Sequence, residues 1–181
     1  MPLDTLGFSL SRYAYSQYIK GITYDGLTSM KLASTSGEKA VANLKIALEQ
    51  GDSLYTEYEY GYMLEFAGRM AYQNGDFPLA YYRLSQVDEL LKTAYVARTE
   101  VHSKMTRGSA LMFEGKLEEA ISIFQQILEH PLSKQSIVDA LVARANLYSA
   151  YAKAGRYEEA EDINKNLAAD FEELLAITGN P

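Results

Sequence analysis

Two histidines, His102 and His130, carry the only imidazole groups in the 181 residues, and the chain contains no cysteine. A general base or a metal ligand needs a second group that orients it or shares the metal. Neither histidine has such a partner in the sequence, because Glu129, His130 and Pro131 are adjacent and adjacent residues do not share a helix face. We therefore interpret His130 as a surface residue that ends a helix beside its negative pole. His102 is a candidate for a binding contact or a pH-sensitive group.

The sequence also lacks the motifs of nucleophilic and phosphate chemistry. It has no Gly-x-Ser-x-Gly elbow and no glycine-rich loop before a helix. The acidic pairs Glu118-Glu119 and Glu158-Glu159 are typical of first helical turns, where the helix dipole favours negative charge. We predict no catalytic residue, no cofactor and no metal site, and we expect that the chain is not an enzyme.

Composition and charge limit the classes of partner. With 48% hydrophobic residues, the chain can bury a core as one domain or one array of small units. It has no apolar run long enough to span a bilayer, and its first residues do not resemble a signal peptide, so we expect a cytoplasmic protein without a membrane partner. The net charge of −7 and the absence of a basic stripe argue against nucleic acid.

The chain repeats itself at intervals of forty residues. The repeat is broken in the first unit, where Thr35 replaces the expected glycine and Gly37 follows two residues late. The matching columns are Gly75, Gly115 and Gly155; Ala40, Ala80, Ala120 and Ala160; and Leu44, Leu84 and Phe124. We predict one domain over residues 1–181, made of units 12–51, 52–91, 92–131 and 132–171 with a C-terminal end at 172–181.

Turn and cap residues divide each unit into two helices. Asp52-Ser53 is a candidate cap for a helix that runs to Gly75, and Asp76 is the candidate cap of the next, with Pro78 in its first turn. In the fourth unit Pro131 breaks the chain, Ser133 or Ser136 begins a helix, and Gly155 ends it.

The last helix has an apolar stripe and a strong charge bias. Its stripe is Ala160, Ile163, Leu167, Phe171 and Leu174, at the spacing of an amphipathic helix. From Arg156 to Leu175 there are seven acidic residues and two basic ones. This bias is typical of a polar capping helix, and the alternative is a docking surface for a basic partner.

These residues resemble the tetratricopeptide (TPR) repeat, in which small residues at a helix crossing and a glycine turn precede an alanine and an aromatic residue. The chain differs from the family pattern in two ways. Tyr148 replaces a small residue, and each repeat is six residues longer than usual. The matching residues are Gly68, Gly75, Ala80 and Leu84; Gly108, Gly115, Ala120, Phe124 and Pro131; and Tyr151, Gly155 and Ala160. The resemblance implies an all-α, right-handed α-solenoid of about four antiparallel helix pairs, with about eight to nine helices.

In TPR-like arrays the first helix of each unit lines a concave face, so the resemblance also implies a binding groove. The second and third units would contribute Tyr55, Tyr58, Tyr62, Glu65, Arg69, Tyr72, Tyr95, Arg98, His102, Met105, Ser109 and Met112. The first unit would contribute Tyr15, Tyr18, Ile22, Asp25, Ser29 and Leu32, and the fourth Gln135, Val138, Val142, Ala145, Ser149 and Ala152.

Tyrosine gathers at the N-terminal end of three of these stripes. Its ring gives a large rigid contact surface and its hydroxyl still reaches a partner, which suits recognition. We infer a groove for an extended peptide or a helix, with Arg69 and Arg98 as candidate anchors for a carboxylate. Glu65 lies four residues from Arg69, at the spacing of an intrahelical pair. The alternative is that the tyrosines pack between helices and only their hydroxyls reach water.

Three functions are consistent with these features of the sequence. The first is a protein interaction scaffold or adaptor that holds a protein or peptide ligand. The second is a ligand-sensing or peptide-sensing module of a larger regulator, such as a transcription regulator, in which binding shifts the conformation. The third is a homo-oligomeric assembly module, because an unmatched first repeat would leave an apolar face exposed.

Overall fold

The computed structural model describes residues 10–26, 29–51 and 56–179, which form helices and no strand. The nine helices within these ranges are α1 (Leu10–Gly26), α2 (Met30–Glu49), α3 (Glu57–Gln73), α4 (Phe77–Leu91), α5 (Ala97–Phe113), α6 (Leu117–Glu129), α7 (Pro131–Gln135), α8 (Ile137–Lys153) and α9 (Tyr157–Thr178). The all-α class and the predicted helix number are confirmed.

The chain forms two compact units, one within Met1–Ser103 and one within Lys104–Pro181, and the residues of α5 are divided between them. In the first unit α1 packs against α2, α2 against α3, and α3 against α4. In the second, α6 and α7 pack against α8, and α8 packs against α9. The four-unit, single-domain organisation stays a prediction.

The glycine column ends three helices in the same way. Gly75 has a φ of 81°, in the left-handed region that favours glycine, and the amide of Asp76 donates to the carbonyl of Ala71 at 2.9 Å. Gly115 and Gly155 have φ angles of 79° and 75° and are followed by equivalent hydrogen bonds. The forty-residue interval therefore marks a recurring helix stop.

Two of the predicted N-terminal caps are present. The Oδ1 atom of Asp76 accepts a hydrogen bond from the amide of Leu79 at 3.2 Å, with proline in the first turn of α4. The Oγ atom of Ser136 accepts one from the amide of Asp139 at 3.3 Å, so Ser136 begins α8. The cap of α3 is Thr56, and the predicted cap at 52–53 lies outside the described residues.

His130 joins the end of α6 to the start of α7. Its Nδ1 atom accepts a hydrogen bond from the amide of Leu132 at 3.1 Å, and the side chain is half-buried. A nitrogen that accepts a hydrogen bond carries no proton, so here the imidazole caps a helix start through a lone pair. The sequence placed His130 correctly at a helix end, but the cap differs from the charge interaction we expected.

The first forty-residue repeat, residues 12–51, turns earlier than the repeat pattern predicts. Helix α2 begins at Met30 and runs without a break through Thr35 and Gly37, the positions where the repeat predicted a turn. Leu32 therefore lies on the second helix of the pair, not on the first as expected. A Cβ atom at Gly37 would lie 3.2 Å from the Phe66 ring, so this glycine allows a close approach between helices.

A small residue packs against an aromatic one within Lys104–Pro181. A Cβ atom at Gly108 would lie 2.7 Å from Cε1 of Phe124, whose side chain is fully buried. At Gly68, the equivalent residue of the preceding repeat, a Cβ atom would lie 3.3 Å from the nearest side-chain atom. Both glycines lie at helix contacts, and the one at Gly108 is the tighter.

We predict that Gly108→Ala destabilises the protein and that Gly68→Ala is close to neutral. Replacing a helical glycine with alanine gains about 1 kcal/mol of helix propensity. At Gly108 this gain is outweighed, because overpacking against a buried ring costs about 1 to 3 kcal/mol. Thermal unfolding followed by circular dichroism should show a loss of several degrees for Gly108→Ala only. Equal melting temperatures for the two variants would contradict the tight contact.

Candidate binding cleft

Two adjoining hollows lie in the compact unit Met1–Ser103, between α1, α3 and the start of α5. The tyrosine hollow has a volume of about 320 Å³ and is lined by Tyr15, Tyr18, Tyr58, Glu59, Tyr62 and Met63. The charged hollow has a volume of about 380 Å³ and is lined by Tyr18, Ile22, Tyr62, Glu65, Phe66, Arg69, Arg98 and His102. Tyr18 and Tyr62 line both hollows, and we call the two together the binding cleft.

A capping box fixes the start of α3 at the tyrosine hollow. The Oγ1 atom of Thr56 accepts a hydrogen bond from the amide of Tyr58 at 3.2 Å. The Oε2 atom of Glu59 accepts from the Thr56 amide at 2.9 Å and from its hydroxyl at 2.7 Å. Burial raises the pKa of Glu59, but these hydrogen bonds outweigh it and the pKa is lowered overall. The Glu59 carboxylate therefore stabilises the N-terminus of α3.

Tyr58 and Tyr62 lie one turn apart and interact directly. Their hydroxyl oxygens are 2.7 Å apart, and their rings meet edge to face with centroids 4.9 Å apart. Burial and the hydrogen bond with Tyr58 raise the pKa of Tyr62 to about 12. Burial, and then the charge of Glu65, raises the pKa of Tyr18 as well. Both shared walls of the cleft are therefore neutral phenols at physiological pH.

Phe66 forms the base of the charged hollow. A Cβ atom at Gly21 would lie 2.6 Å from its ring, so a side chain there would clash, and one at Gly37 would lie 3.2 Å away, in tight contact. The Tyr18 ring meets Phe66 at 87° with centroids 5.3 Å apart, and the Arg69 guanidinium lies 5.3 Å from the ring centroid. One buried ring thus positions a tyrosine wall and an arginine of the cleft.

Arg69 lies between two carboxylates. Its Nη1 atom is 2.9 Å from Oδ2 of Asp25, and its Nε atom is 3.7 Å from Oε1 of Glu65. The second distance is too long for a hydrogen bond. Glu65 is only 5% exposed, and its Oε1 atom has no hydrogen-bond partner among the described residues. Arg69 is therefore bound to Asp25, and one oxygen of Glu65 is buried without a donor.

Burial opposes the ionised form of the Glu65 carboxyl. Burial raises its pKa, while the charges of Arg69 and then His102 lower it by less and Asp25 adds to the rise. The shift is upward overall. A donor from a ligand would stabilise the ionised form.

Arg98 is the exposed cation of the cleft. It lies in the first turn of α5 and forms no ion pair with the residues that the structure describes. Its charge lowers the pKa of both Tyr18 and Tyr62, although burial outweighs it in each. This guanidinium is available to an acceptor on a ligand.

Half of the twelve predicted groove residues line the cleft: Tyr58, Tyr62, Glu65, Arg69, Arg98 and His102. The Tyr72 ring instead faces Phe77 with centroids 5.9 Å apart, and Tyr95 precedes α5 with 65% of its surface exposed. Three predicted residues lie on the part of α5 in the second unit: Met105, Ser109 and Met112. Tyr55 lies outside the described residues.

The cleft also contains residues predicted from the first repeat, residues 12–51, and residues that the sequence pattern did not predict. Tyr15, Tyr18 and Ile22 line it as that stripe implies. The missed residues are Glu59, Met63 and Phe66. The spacing of Thr56 and Glu59 is the sequence signature of a capping box and could have identified Glu59.

The described residues carry no constellation for metal chemistry. No group of three or more histidine and acidic side chains in ranges 10–26, 29–51 and 56–179 could hold a metal ion. In the same ranges no helix has the length and apolar character needed to cross a membrane. The cleft offers tyrosine hydroxyls, one exposed guanidinium and one buried carboxylate, which are groups for binding.

A search of solved structures supports the predicted repeat architecture. The chain is similar to a Q17M variant of a Podosopora anserina protein assigned as a kinesin light chain, with nearly identical TPR-like repeats. The TM-score is 0.63 at 20% identity, over 94% of this chain and 77% of that one. The chain has a TPR-like fold. No family model and no curated protein matches the sequence of this TPR-like chain, so the likeness is one of fold.

We predict that Glu65→Gln changes how stability depends on pH. Since the pKa of Glu65 is raised above 4.5 in the folded state, the folded protein holds more protons than the unfolded chain just above that pH. The wild type should therefore lose stability relative to Glu65→Gln as pH rises through this window. Melting temperatures measured between pH 4 and pH 8 would show this difference. The range begins near the ordinary pKa of a glutamate, about 4.3, and extends above it.

Glu57→Gln is the matched control, because it removes an exposed carboxylate from the first turn of the same helix. A difference between wild type and Glu65→Gln that stays flat, or that grows in favour of the wild type with rising pH, would contradict the burial of an unsatisfied carboxyl.

Proposed function

We propose that this TPR-like chain is a protein interaction scaffold that holds an extended peptide or a helix in the binding cleft. The observation that carries the proposal is the preformed cleft itself, with tyrosine walls and an exposed arginine. Tyr18 and Tyr62 line both hollows, so a ligand that occupied either hollow would contact these two rings.

The tyrosine walls favour a peptide ligand. Tyr58 is 49% exposed, Tyr15 is 39% exposed, and Tyr18 and Tyr62 are half-buried. Rings held by edge contacts and by the hydroxyl hydrogen bond lose little freedom when a ligand packs on them. Large, rigid aromatic surfaces of this kind supply much of the affinity in protein interfaces.

The polar groups also match a peptide backbone, which carries both donors and acceptors. The phenol groups of Tyr58 and Tyr62 already share one hydrogen bond, and each oxygen keeps further capacity. Arg98 donates only, so it suits a carbonyl or a carboxylate of the ligand. His102 completes the α5 side of the cleft.

The fold supports the same class of function at a coarser level. Helical repeats form extended surfaces on which partners bind, and the similar solved structure is built from TPR-like repeats. Fold likeness alone does not select a partner, so the proposal rests on the cleft.

A ligand-sensing module is the second candidate. The charged hollow has a volume of about 380 Å³, within the range of about 300 to 1,000 Å³ that small-molecule sites occupy. In this role, binding of a small molecule or peptide to the cleft of a larger regulator would shift the conformation of the module.

A homo-oligomeric assembly module is the third candidate. Ile19 and Ile22 on α1 are 44% and 42% exposed, which leaves apolar surface on the first unit. Light scattering at increasing concentration would separate this function from the others, because a monomer throughout the range would remove it.

The scaffold proposal predicts that Tyr62→Ala combined with Arg98→Ala abolishes the capture of a partner from source-cell lysate. The double variant removes one shared wall and the exposed cation, and leaves the Asp25–Arg69 pair in place. Immobilised wild type and variant would be compared by quantitative mass spectrometry, after circular dichroism shows that both are folded. A partner lost by about tenfold or more would match the truncation of a tyrosine and arginine hot spot.

Tyr157→Ala is the control, because it removes an exposed tyrosine from α9 in the other unit. A partner retained equally by all three proteins would contradict the cleft as its binding site. If no protein is captured but the wild type binds small molecules in a ligand screen, the sensing function replaces the scaffold.

A further inference from the structure

The unsatisfied oxygen of Glu65 is the feature of the cleft that the scaffold function does not use. Glu65 lines the charged hollow, is 5% exposed, and has no hydrogen-bond donor for its Oε1 atom among the described residues. A buried polar atom without a partner is costly, and such atoms need an explanation. A ligand group that donates to Oε1 would supply one.

Among the residues that the structure describes, Glu65 has one ion-pair partner, which it shares with a second carboxylate. Arg69 on the same helix is the nearest cation, and it is 2.9 Å from Asp25 of α1 and 3.7 Å from Glu65. His102 faces Glu65 from α5 and adds a favourable charge when protonated. Arg98, also on α5, acts instead on the hydroxyls of Tyr18 and Tyr62. Glu65 and Arg98 both act on the hydroxyl of Tyr18, with opposite signs, so the hollow presents an acceptor and a donor around this ring.

We propose that the cleft selects a peptide with a lysine side chain, whose ammonium donates to Oε1 of Glu65 while its aliphatic stem lies against Tyr18 and Tyr62. This inference rests on the proposed function, because it specifies the peptide that the scaffold holds. The ammonium becomes the hydrogen-bond donor that the buried oxygen lacks, since the Nε atom of Arg69 is 3.7 Å away and too far to donate.

Lysine fits this position better than other side chains. Its ammonium is a compact point charge on a flexible stem, which suits a single oxygen atom, whereas a guanidinium binds best to both oxygens of a carboxylate. Its four methylene groups can cover aromatic surface while the charge reaches past it.

The test uses three acetylated and amidated pentapeptides with alanine at the outer four positions and lysine, norleucine or glutamate in the centre. Norleucine keeps the aliphatic stem and removes the ammonium, and glutamate reverses the charge. Each peptide is titrated into the full chain labelled with ¹⁵N, and amide shifts of residues lining the cleft give the dissociation constant. We expect the lysine peptide to bind about tenfold or more tightly than either of the others.

Two variants locate the effect. Glu65→Gln should lower the affinity for the lysine peptide by about tenfold and leave the norleucine peptide unchanged. Glu57→Gln removes an exposed carboxylate from the same helix and should change neither. Circular dichroism confirms that each variant is folded, and the lysine and norleucine comparison on the wild type needs no variant.

The outcomes separate this inference from the proposed function. Equal affinities for lysine and norleucine, tighter binding of glutamate, or equal losses in Glu65→Gln and Glu57→Gln would overturn the lysine site while the cleft remained a peptide site. If none of the three peptides shifts the signals of the cleft, the lysine site is overturned, and only a partner lost by the Tyr62 and Arg98 variant would keep the scaffold.

Discussion

The packing of the Phe66 ring against Gly21 and Gly37 is the interaction on which the cleft depends. The ring belongs to α3, while the two glycines lie on α1 and α2, so one side chain joins three helices. Burial of such a ring contributes about 1.5 to 3 kcal/mol, and its removal from a core costs about 3 to 5 kcal/mol because a cavity remains. Tyr18 and Arg69 take their positions from this ring, so cleft geometry and core packing are coupled.

The same packing accounts for the electrostatics of the charged hollow. Close approach of α1 to α3 brings Asp25 within 2.9 Å of Arg69 and buries Glu65 one turn away. Desolvation then opposes the ionised form of Glu65 more strongly than Arg69 supports it, since Arg69 is shared with Asp25. A tight contact between helices thus creates both the rigid walls and the unsatisfied oxygen.

Local signals in the sequence predicted the elements well, and long-range packing explains what they missed. Gly75 ends a helix and Asp76 begins one through hydrogen bonds within a few residues, so spacing and residue type sufficed. Gly37 resembled a displaced turn glycine, but its role depends on Phe66, 29 residues later in the sequence. Arg69 was likewise a candidate anchor for a ligand, and nothing near it in sequence revealed Asp25 as its partner.

Arg98 and Glu65 carry opposite charges and line the same charged hollow. Arg98 offers a donor whose charge acts on the hydroxyls of Tyr18 and Tyr62, whereas Glu65 offers a buried acceptor. For the proposed peptide ligand, a uniform charge would satisfy one of these groups and be repelled by the other. A peptide that presents an acceptor to Arg98 and a cation to Glu65 would satisfy both, and exchanging the two groups would place like charges together. In the proposed peptide-binding function, these two opposite charges would set the direction of the peptide, while the tyrosine walls would supply the contact area.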